Sequence, residues 1–367
     1  MSSVIYVGMD VHQDSFSLCA LDALNGEIIR ETKCTADIQN VVKFTSQLPQ
    51  TDETQIVLGY EAGIWGYSLY NRLIELGFEC VILAPSTMYS NAKHQMVKND
   101  HQDAQMIAHN LAAGTYKAVY VPDQEDDNVK EFIRLIKSLK KDLKQTKQRI
   151  RSFVLRNGFR FTRTPWTSLY LKWLEQLQLS KLKRVILDEY IVYYHELTDK
   201  IDRLNSQLEE LSHQKRYQEP IAKLRCFKGI DTTAAMTIHV ETSDFTRFPN
   251  AKAYTAYLGL TPSEHSSGNK VSLGRITKQG NSTIRTTLVE CVQGLVRGEP
   301  SKKSKKLKAR QNGQSVKVIR YADRAVKRLH KRYERMLHAG KPRNVAIIAV
   351  ARELACFIWG MENNKIA

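Results

Sequence analysis

Two stretches of this sequence space apolar residues at strictly alternating intervals of three and four, and no other feature restricts its folding more. The first runs Phe132, Ile136, Leu139, Leu143, Thr146, Ile150, Phe153; the second runs Leu187, Tyr190, Tyr194, Leu197, Ile201, Leu204, Leu208, Leu211. Such alternation lays one narrow stripe along a helix, and the stripe must be covered by a partner helix. Residues 157–182, between the two series, carry aromatic residues, threonines and the breaker Pro165. The pattern predicts a coiled-coil helical arm over residues 123–216, folded back as a hairpin or used to join copies of the chain. The arm separates a front domain, 1–122, from a mainly helical C-terminal domain, 217–367.

Charge divides along the same boundary. The net charge is +17, yet residues 1–120 hold 7 Lys or Arg against 13 Asp or Glu, a balance of −6, and the remainder carries +23. A body this basic calls for a polyanionic partner, because each phosphate it neutralises releases condensed counterions. The six cysteines form no CxxC pair, which fits reduced thiols in a cytoplasm and argues against a zinc site or a disulfide scaffold. Met1 is followed by two serines and a strand-like run rather than a basic and then apolar leader. The most apolar stretch, 345–360, is interrupted by Arg352 and Glu353, so no membrane partner is expected.

The front domain reads as α/β. Apolar runs at 4–8 and 16–21, a turn signal at Asn25-Gly26 and a third run at Ile28-Ile29 predict an opening meander. Helix-like stretches at 38–48, 69–76 and 101–113 alternate with strands at 56–61 and 80–83, and Gly114 closes the last helix. Three strands, then helix, strand, helix, strand, helix is the order of a ribonuclease H-like fold. Asp10 ends the first strand in GMDVHQD, Glu61 ends the strand IVLGYE, and Asp100 and Asp103 open the last helix in KNDHQDA. Residues at i and i+3 share a helix face, so four carboxylates can converge. Gathered like charges raise one another's pKa values unless cations compensate. Hard oxygen ligands suit Mg²⁺ (or Mn²⁺), and two such ions about 4 Å apart can clamp a scissile phosphate.

A second constellation occupies 258–291, LGLTPSEHSSGNKVSLGRITKQGNSTIRTTLVEC. Pro262 stops a helix, and the following loop holds Ser263, Ser266, Ser267 and Gly268. Lys270, Arg275 and Lys278 form a basic strip, with Arg285 one turn into the next helix. A serine before a glycine can present an exposed hydroxyl, and neighbouring cations can hold a phosphate beside it. The turn Lys228-Gly229-Ile230-Asp231 has the form of a helix-hairpin-helix turn, whose amides can meet a phosphate. Residues 300–345 hold 16 Lys or Arg against Asp323 and Glu334. Their run SKKSKKLKAR, with Lys302, Lys303, Lys305 and Lys306, is expected as a flexible phosphate-contacting loop.

KNDHQDA resembles the Lys-Thr-Asp-x-x-Asp-Ala motif of the insertion sequence 110 family of transposases, relatives of the Piv invertase. GMDVHQD and YEAG match that family's opening Asp and its Glu, and the stretches LRCFKGI, AYLGLTPSEHSSG and LGRITKQGNSTIR resemble its C-terminal domain. Asn99 stands where the motif has Thr. The resemblance implies a RuvC-like domain with a D-E-D-D tetrad of Asp10, Glu61, Asp100 and Asp103. It also implies that Ser267, with Ser266 as fallback, attacks DNA and becomes a covalent phosphoserine. A structured non-coding guide RNA would pair with donor and target DNA, and homo-oligomers, dimer to tetramer, would assemble active sites between subunits. Three other readings compete: a RuvC-like junction resolvase that uses water and metal without Ser267, a non-catalytic RNA- or DNA-binding protein, and a sugar-kinase-type fold, which +23 in the body fits poorly.

Overall fold

A computed structural model of the chain describes residues 3–49, 51, 53–88, 99–264 and 272–366. The chain divides into two compact units, Met1–Pro122 and Asp123–Ala367.

The first unit is a mixed five-stranded sheet between helices. Its elements are β1 (Val4–Val11), β2 (Ser15–Asp22), β3 (Ile28–Thr35), α1 (Ile38–Ser46), β4 (Gln55–Glu61), α2 (Ser68–Glu75), β5 (Glu79–Leu83) and α3 (Asp100–Ala113). The strand order is β3-β2-β1-β4-β5, with the first three strands antiparallel and β1-β4-β5 parallel. Both faces are covered, so β2 reads as an unbroken buried run. Ile5, Val7, Met9, Phe16, Leu18 and Ala20 meet α1 and α2 on one face. Cys19 and Leu21 pack with Ala104 and Ala108 of α3 on the other. The turn at Asn25-Gly26 lies in a five-residue loop, Gly26 at φ +72, and the strand register shifts beside it at Ala20/Leu21.

In the second unit, α4 (Gln124–Arg156) and α6 (Lys181–Ser212) pack along each other, with α5 (Ser168–Glu175) between them in sequence. They run antiparallel. Val129, Ile133 and Ile136 at the start of α4 share a cluster with Leu204 and Leu208 at the end of α6. Ile150 and Phe153 at the other end meet Leu187 and Tyr194. The two apolar stripes therefore cover each other within one chain. At the tip, Trp166, Tyr170, Trp173 and Phe161 form a ring cluster with centroids 5.0 to 5.7 Å apart, an arrangement that adds packing beyond area burial. At the base, buried Asp126 accepts from Tyr217 Oη at 2.9 Å and pairs with Arg216.

The body continues with α7 (Lys215–Leu224), α8 (Thr232–Thr242), α9 (Ala251–Tyr257), a small antiparallel pair β6 (Pro262–Glu264) and β7 (Leu273–Ile276), α10 (Ser282–Leu295), α11 (Lys305–Gln311), α12 (Val316–His338) and α13 (Arg343–Glu362). By length and composition α13 could cross a membrane, despite Arg352 and Glu353. That corrects the expectation that no segment qualifies. In this fold it is a core helix, with Ile347, Val350, Leu354 and Ile358 at most 1% exposed, packed against α9, α10 and α12.

The lysine-rich run is also corrected. SKKSKKLKAR is expected as a loop, but Lys305–Gln311 is helical, with Ser304 as its N-cap accepting from Leu307 N. Leu307 is buried, Arg310 Nη1 donates to Ile230 O at 2.5 Å, and Gln311 Nε2 donates to Cys226 O at 3.0 Å. One apolar anchor and two backbone contacts are enough to fold a run that composition assigns to solvent.

Candidate active site

The acidic site of the first unit is built on a glycine cradle. Gly8 and Gly59 are register partners on β1 and β4. A Cβ on Gly8 would lie 2.2 Å from Ala104 O and 2.4 Å from Ala108 N, and one on Gly59 would lie 2.7 Å from the Leu111 side chain. Two missing methyl groups let α3 settle directly on the sheet. That brings its N-terminus, capped by Asn99 accepting from His101 N at 3.3 Å, to the ends of β1 and β4.

A polar row crosses the sheet at the same level. Lys33 pairs in register with Ser17, and Ser17 with Asp10. The β1–β4 ladder ends at Met9↔Tyr60, so Asp10 and Glu61 are the next residue of each strand. Asp100 sits over this row. Its Oδ2 accepts from Lys33 Nζ at 2.7 Å, and its Oδ1 lies 3.8 Å from His12 Nε2, which itself lies 3.1 Å from Asp10 Oδ2. Burial pushes the Asp10 carboxyl above its usual range; His12 opposes this, while Asp103 and Asp100 push it further up. The Lys33 hydrogen bond holds Asp100 below the usual carboxylate range.

Asp10, His12 and Asp100 offer ligand atoms all within 4.8 Å of one another. Glu61 and Asp103, both half-buried, join no such set among the described residues, although Asp103 is near enough to raise Asp10. In the polar row, buried Ser17 Oγ has no hydrogen-bond partner among the described residues, and buried Asp10 Oδ2 meets only His12 Nε2 at 3.1 Å. Buried polar atoms normally find partners. An orphaned oxygen beside gathered carboxylates fits a divalent cation with oxygen ligands. His12 and Lys33 were missed in the sequence. The three-strand register that carries Lys33 to Asp10 is the signal that identifies it, and it emerges only once the strands are paired.

Ser266, Ser267 and Lys270 lie outside the described residues, in the sequence between β6 and β7. The elements flanking that segment are tightly fitted. Gly259, at φ +63, and Gly280, at φ +77, let the end of α9 meet the start of α10, where a Cβ on Gly280 would lie 1.9 Å from Tyr257 O. Arg285 Nη1 donates to Leu258 O at 2.8 Å, so its guanidinium tethers α10 to the end of α9. Arg275 and Lys278 are exposed and form no ion pair with a described carboxylate. Buried Glu241 accepts from Asn281 Nδ2 at 2.8 Å, and Arg134 of α4 stands 3.7 Å away. Gly229 packs on α10, 2.3 Å from Cys291 O to its would-be Cβ, and Lys228 Nζ donates to Arg297 O at 2.7 Å. The hairpin-like turn is thus an internal packing device.

Of the lysines in the basic run, Lys302, Lys305 and Lys306 are exposed. Lys303 instead donates to Gln311 Oε1 at 2.6 Å and Asp323 Oδ2 at 2.5 Å. A stronger basic feature lies on α12, where Arg324, Arg328, Lys331, Arg332 and Arg335 recur at helical spacing. They line a cavity of about 600 Å³ closed by Glu353 and Phe357. A neighbouring cavity of about 660 Å³ shares Arg328 and Arg332 and reaches Thr261, next to β6. Glu353 pairs with Arg328 and, at 2.6 Å, with Arg332. Although burial opposes it, these two hydrogen-bonded guanidiniums hold the Glu353 carboxyl low. One carboxylate fixes two arginines and leaves the groove strongly positive. Arg332→Ala is expected to weaken duplex DNA binding and to reduce the slope of log K against log salt by about 1. An unchanged slope in filter-binding titrations would remove the groove from the interface.

The comparisons with known proteins agree with this layout. Residues 7–159 match a transposase family of the DEDD, IS110 type, and residues 222–307 match the Transposase IS116/IS110/IS902 family. A Sinorhizobium fredii protein named as a transposase, y4qE, is 29% identical over 97% of this chain and 88% of its own length. The transposase for insertion sequence element IS1533 of Leptospira borgpetersenii is 27% identical over 92% of this chain and 97% of its own. The transposase for insertion sequence element IS1111A of Coxiella burnetii is 24% identical over 83% and 82%. A DEDD domain points to divalent-metal use, and membership implies a DNA substrate. The chain belongs to the IS110 family of insertion-sequence transposases, enzymes that cleave and recombine DNA.

Proposed function

We propose that this transposase is guided by a structured non-coding RNA and exchanges DNA strands through a covalent phosphoserine at Ser267, assisted by Asp10, Glu61, Asp100 and Asp103. The observation that carries this reading is the convergence of Asp10 and Asp100, from β1 and α3, in the polar row that holds the unpaired buried Ser17 Oγ. The sheet order β3-β2-β1-β4-β5, with two antiparallel and two parallel strand pairs, supports a ribonuclease H-like, RuvC-like domain. The four carboxylates would hold Mg²⁺ or Mn²⁺, which supplies charge neutralisation at a scissile phosphate. Lys33 adds a positive charge beside Asp100.

Ser267 Oγ would attack the scissile phosphorus. The bond from phosphorus to one deoxyribose oxygen breaks, and that oxygen leaves as a hydroxyl with the serine proton. A hydroxyl of the second DNA strand reverses the step, so the phosphodiester is conserved without an external energy source. Exposed Arg275 and Lys278, which follow the serine's segment in sequence, support phosphate binding. The RNA guide rests on the resemblance of the linked motifs. Oligomerisation through the arm is supported by exposed Leu182, Val185, Ile186, Val192 and Tyr193 on α6, and three functional domains, 1–122, 123–216 and 217–367, follow from the arm's separate task.

The test is a labelled donor DNA incubated with protein, element RNA and Mg²⁺, then resolved under denaturing conditions. A covalent adduct should form with the parent and with Ser266→Ala, and vanish with Ser267→Ala, with chelator or without RNA. Strand exchange that persists in Ser267→Ala would instead identify a water- and metal-dependent resolvase.

A further inference from the structure

The tip of the helical arm carries chemistry that strand exchange at the serine does not use. Residues 140–163 hold nine Lys or Arg and a single acid, Asp142, a density matching that of the basic run near the C-terminus. A cavity of about 460 Å³ opens there between the end of α4, the 157–167 strap and α5. Its floor is aromatic, of half-buried Phe159, Phe161 and Trp173, with buried Tyr170 beneath holding Phe161 at 5.0 Å, the same distance as the Trp173 ring. Its rim carries Arg151, Arg160 and Arg163, all exposed and none in an ion pair with a described carboxylate. Gln148 and Ser152 add polar groups to the wall. The strap is shaped by Gly158 at φ +83 and Trp166 at φ +67.

An aromatic floor under three uncommitted guanidiniums suits a flat ring with anionic groups on either side. Every base has such a face, but in a duplex it is stacked away, so only an unpaired nucleotide can offer it. The volume is in the range of ordinary ligand pockets and accommodates one base with its sugar. We propose that the arm tip binds a single-stranded polynucleotide, seating one unstacked base on the aromatic floor and the flanking phosphates on Arg151, Arg160 and Arg163. RNA and DNA single strands share this chemistry.

The full chain also has the α12 groove, so the location must be read directly. Bromouracil-substituted single strands of each sugar type, and a duplex of the same sequence, are photo-cross-linked to the full-length protein and the modified peptides mapped. Single strands should label residues 148–173, and the duplex should not; which sugar labels more strongly identifies the source. The triple variant Arg151→Ala, Arg160→Ala, Arg163→Ala should lose this label and lower the single-strand salt slope by about 2, at roughly 0.7 per phosphate. Phe159→Leu, which keeps apolar volume, should weaken single-strand binding about tenfold with the slope unchanged. Circular dichroism checks that each variant keeps its helices. Ser267→Ala should label the tip like the parent, so failure of the phosphoserine reading leaves this one standing. Labels confined to other regions, equal labelling by the duplex, or an unaltered slope in the triple variant would overturn it.

Discussion

Asp10→Asn is expected to lower strand cleavage by about three orders of magnitude while leaving the first unit as stable as before, or raising its melting temperature by a few degrees. The two effects have one cause. Burial is the main reason the Asp10 carboxyl is pushed up; His12 pulls it back, and nearby Asp103 and Asp100 add to the rise. Folding therefore stores unfavourable electrostatics that a neutral amide of the same shape removes. The same change deletes an oxygen charge from the cluster formed with His12 and Asp100, and losing one group of a preorganised charge clamp costs about 10²- to 10³-fold or more. Mg²⁺ should raise the melting temperature of the parent by mass action and leave that of Asp10→Asn unmoved. A variant that loses stability along with activity would mean that Asp10 is a structural residue.

Gly8→Ala is the second large effect, and it is a packing effect. The added methyl would lie within 2.2 Å and 2.4 Å of two backbone atoms of α3, which cannot rotate away as a side-chain end can. Either α3 lifts from the sheet or β1 is displaced. Overpacking of this kind costs about 3 kcal/mol, or roughly 10 °C in the melting temperature of a unit this size. The chemical consequence should exceed the thermal one. Lifting α3 carries Asp100 and Asp103 away from Asp10, so at temperatures where the variant is still folded, cleavage should fall by about a hundredfold, since misplacement by about 1 Å is enough for that. Gly26→Ala, where a Cβ meets nothing within 4 Å although φ is +72, is the control: it adds backbone strain far from the site. Equal loss of activity in both variants would argue against the cradle.

Much of this architecture is legible in the sequence. α3 is readable because a helical pattern over 101–113 ends at Gly114, which takes φ 63 in the structure; the cap at Asn99 appears only there. The arm was readable because its stripes keep one spacing over six intervals or more, and the stripes do cover each other. Asp10, Glu61 and Asp100 stand at the strand and helix ends expected of them, since strand ends follow local patterning. Lys33 is not legible because its role depends on pairing between strands, through the Lys33–Ser17–Asp10 row; His12 stands just past β1, two residues from Asp10, where strand alternation does not say which way its ring turns. The helix at Lys305–Gln311 was missed because Leu307 alone anchors it, and a single apolar residue has no period. Arg285 and Lys303 were read as phosphate contacts from charge alone, whereas their hydrogen bonds to Leu258 O, Gln311 and Asp323 are set by tertiary packing.

The length of α4 has a further consequence. Thirty-three residues in one unbroken helix, at about 1.5 Å each, extend about 50 Å, close to one and a half turns of a DNA duplex at about 34 Å per turn. The arm is then a ruler. A polynucleotide gripped at both its base and its tip must present those two points at a fixed separation, whatever its sequence. For a polynucleotide held in that way, spacing measured in nucleotides would become a criterion of recognition, and shortening or lengthening the hairpin by whole heptads should change which spacings are accepted.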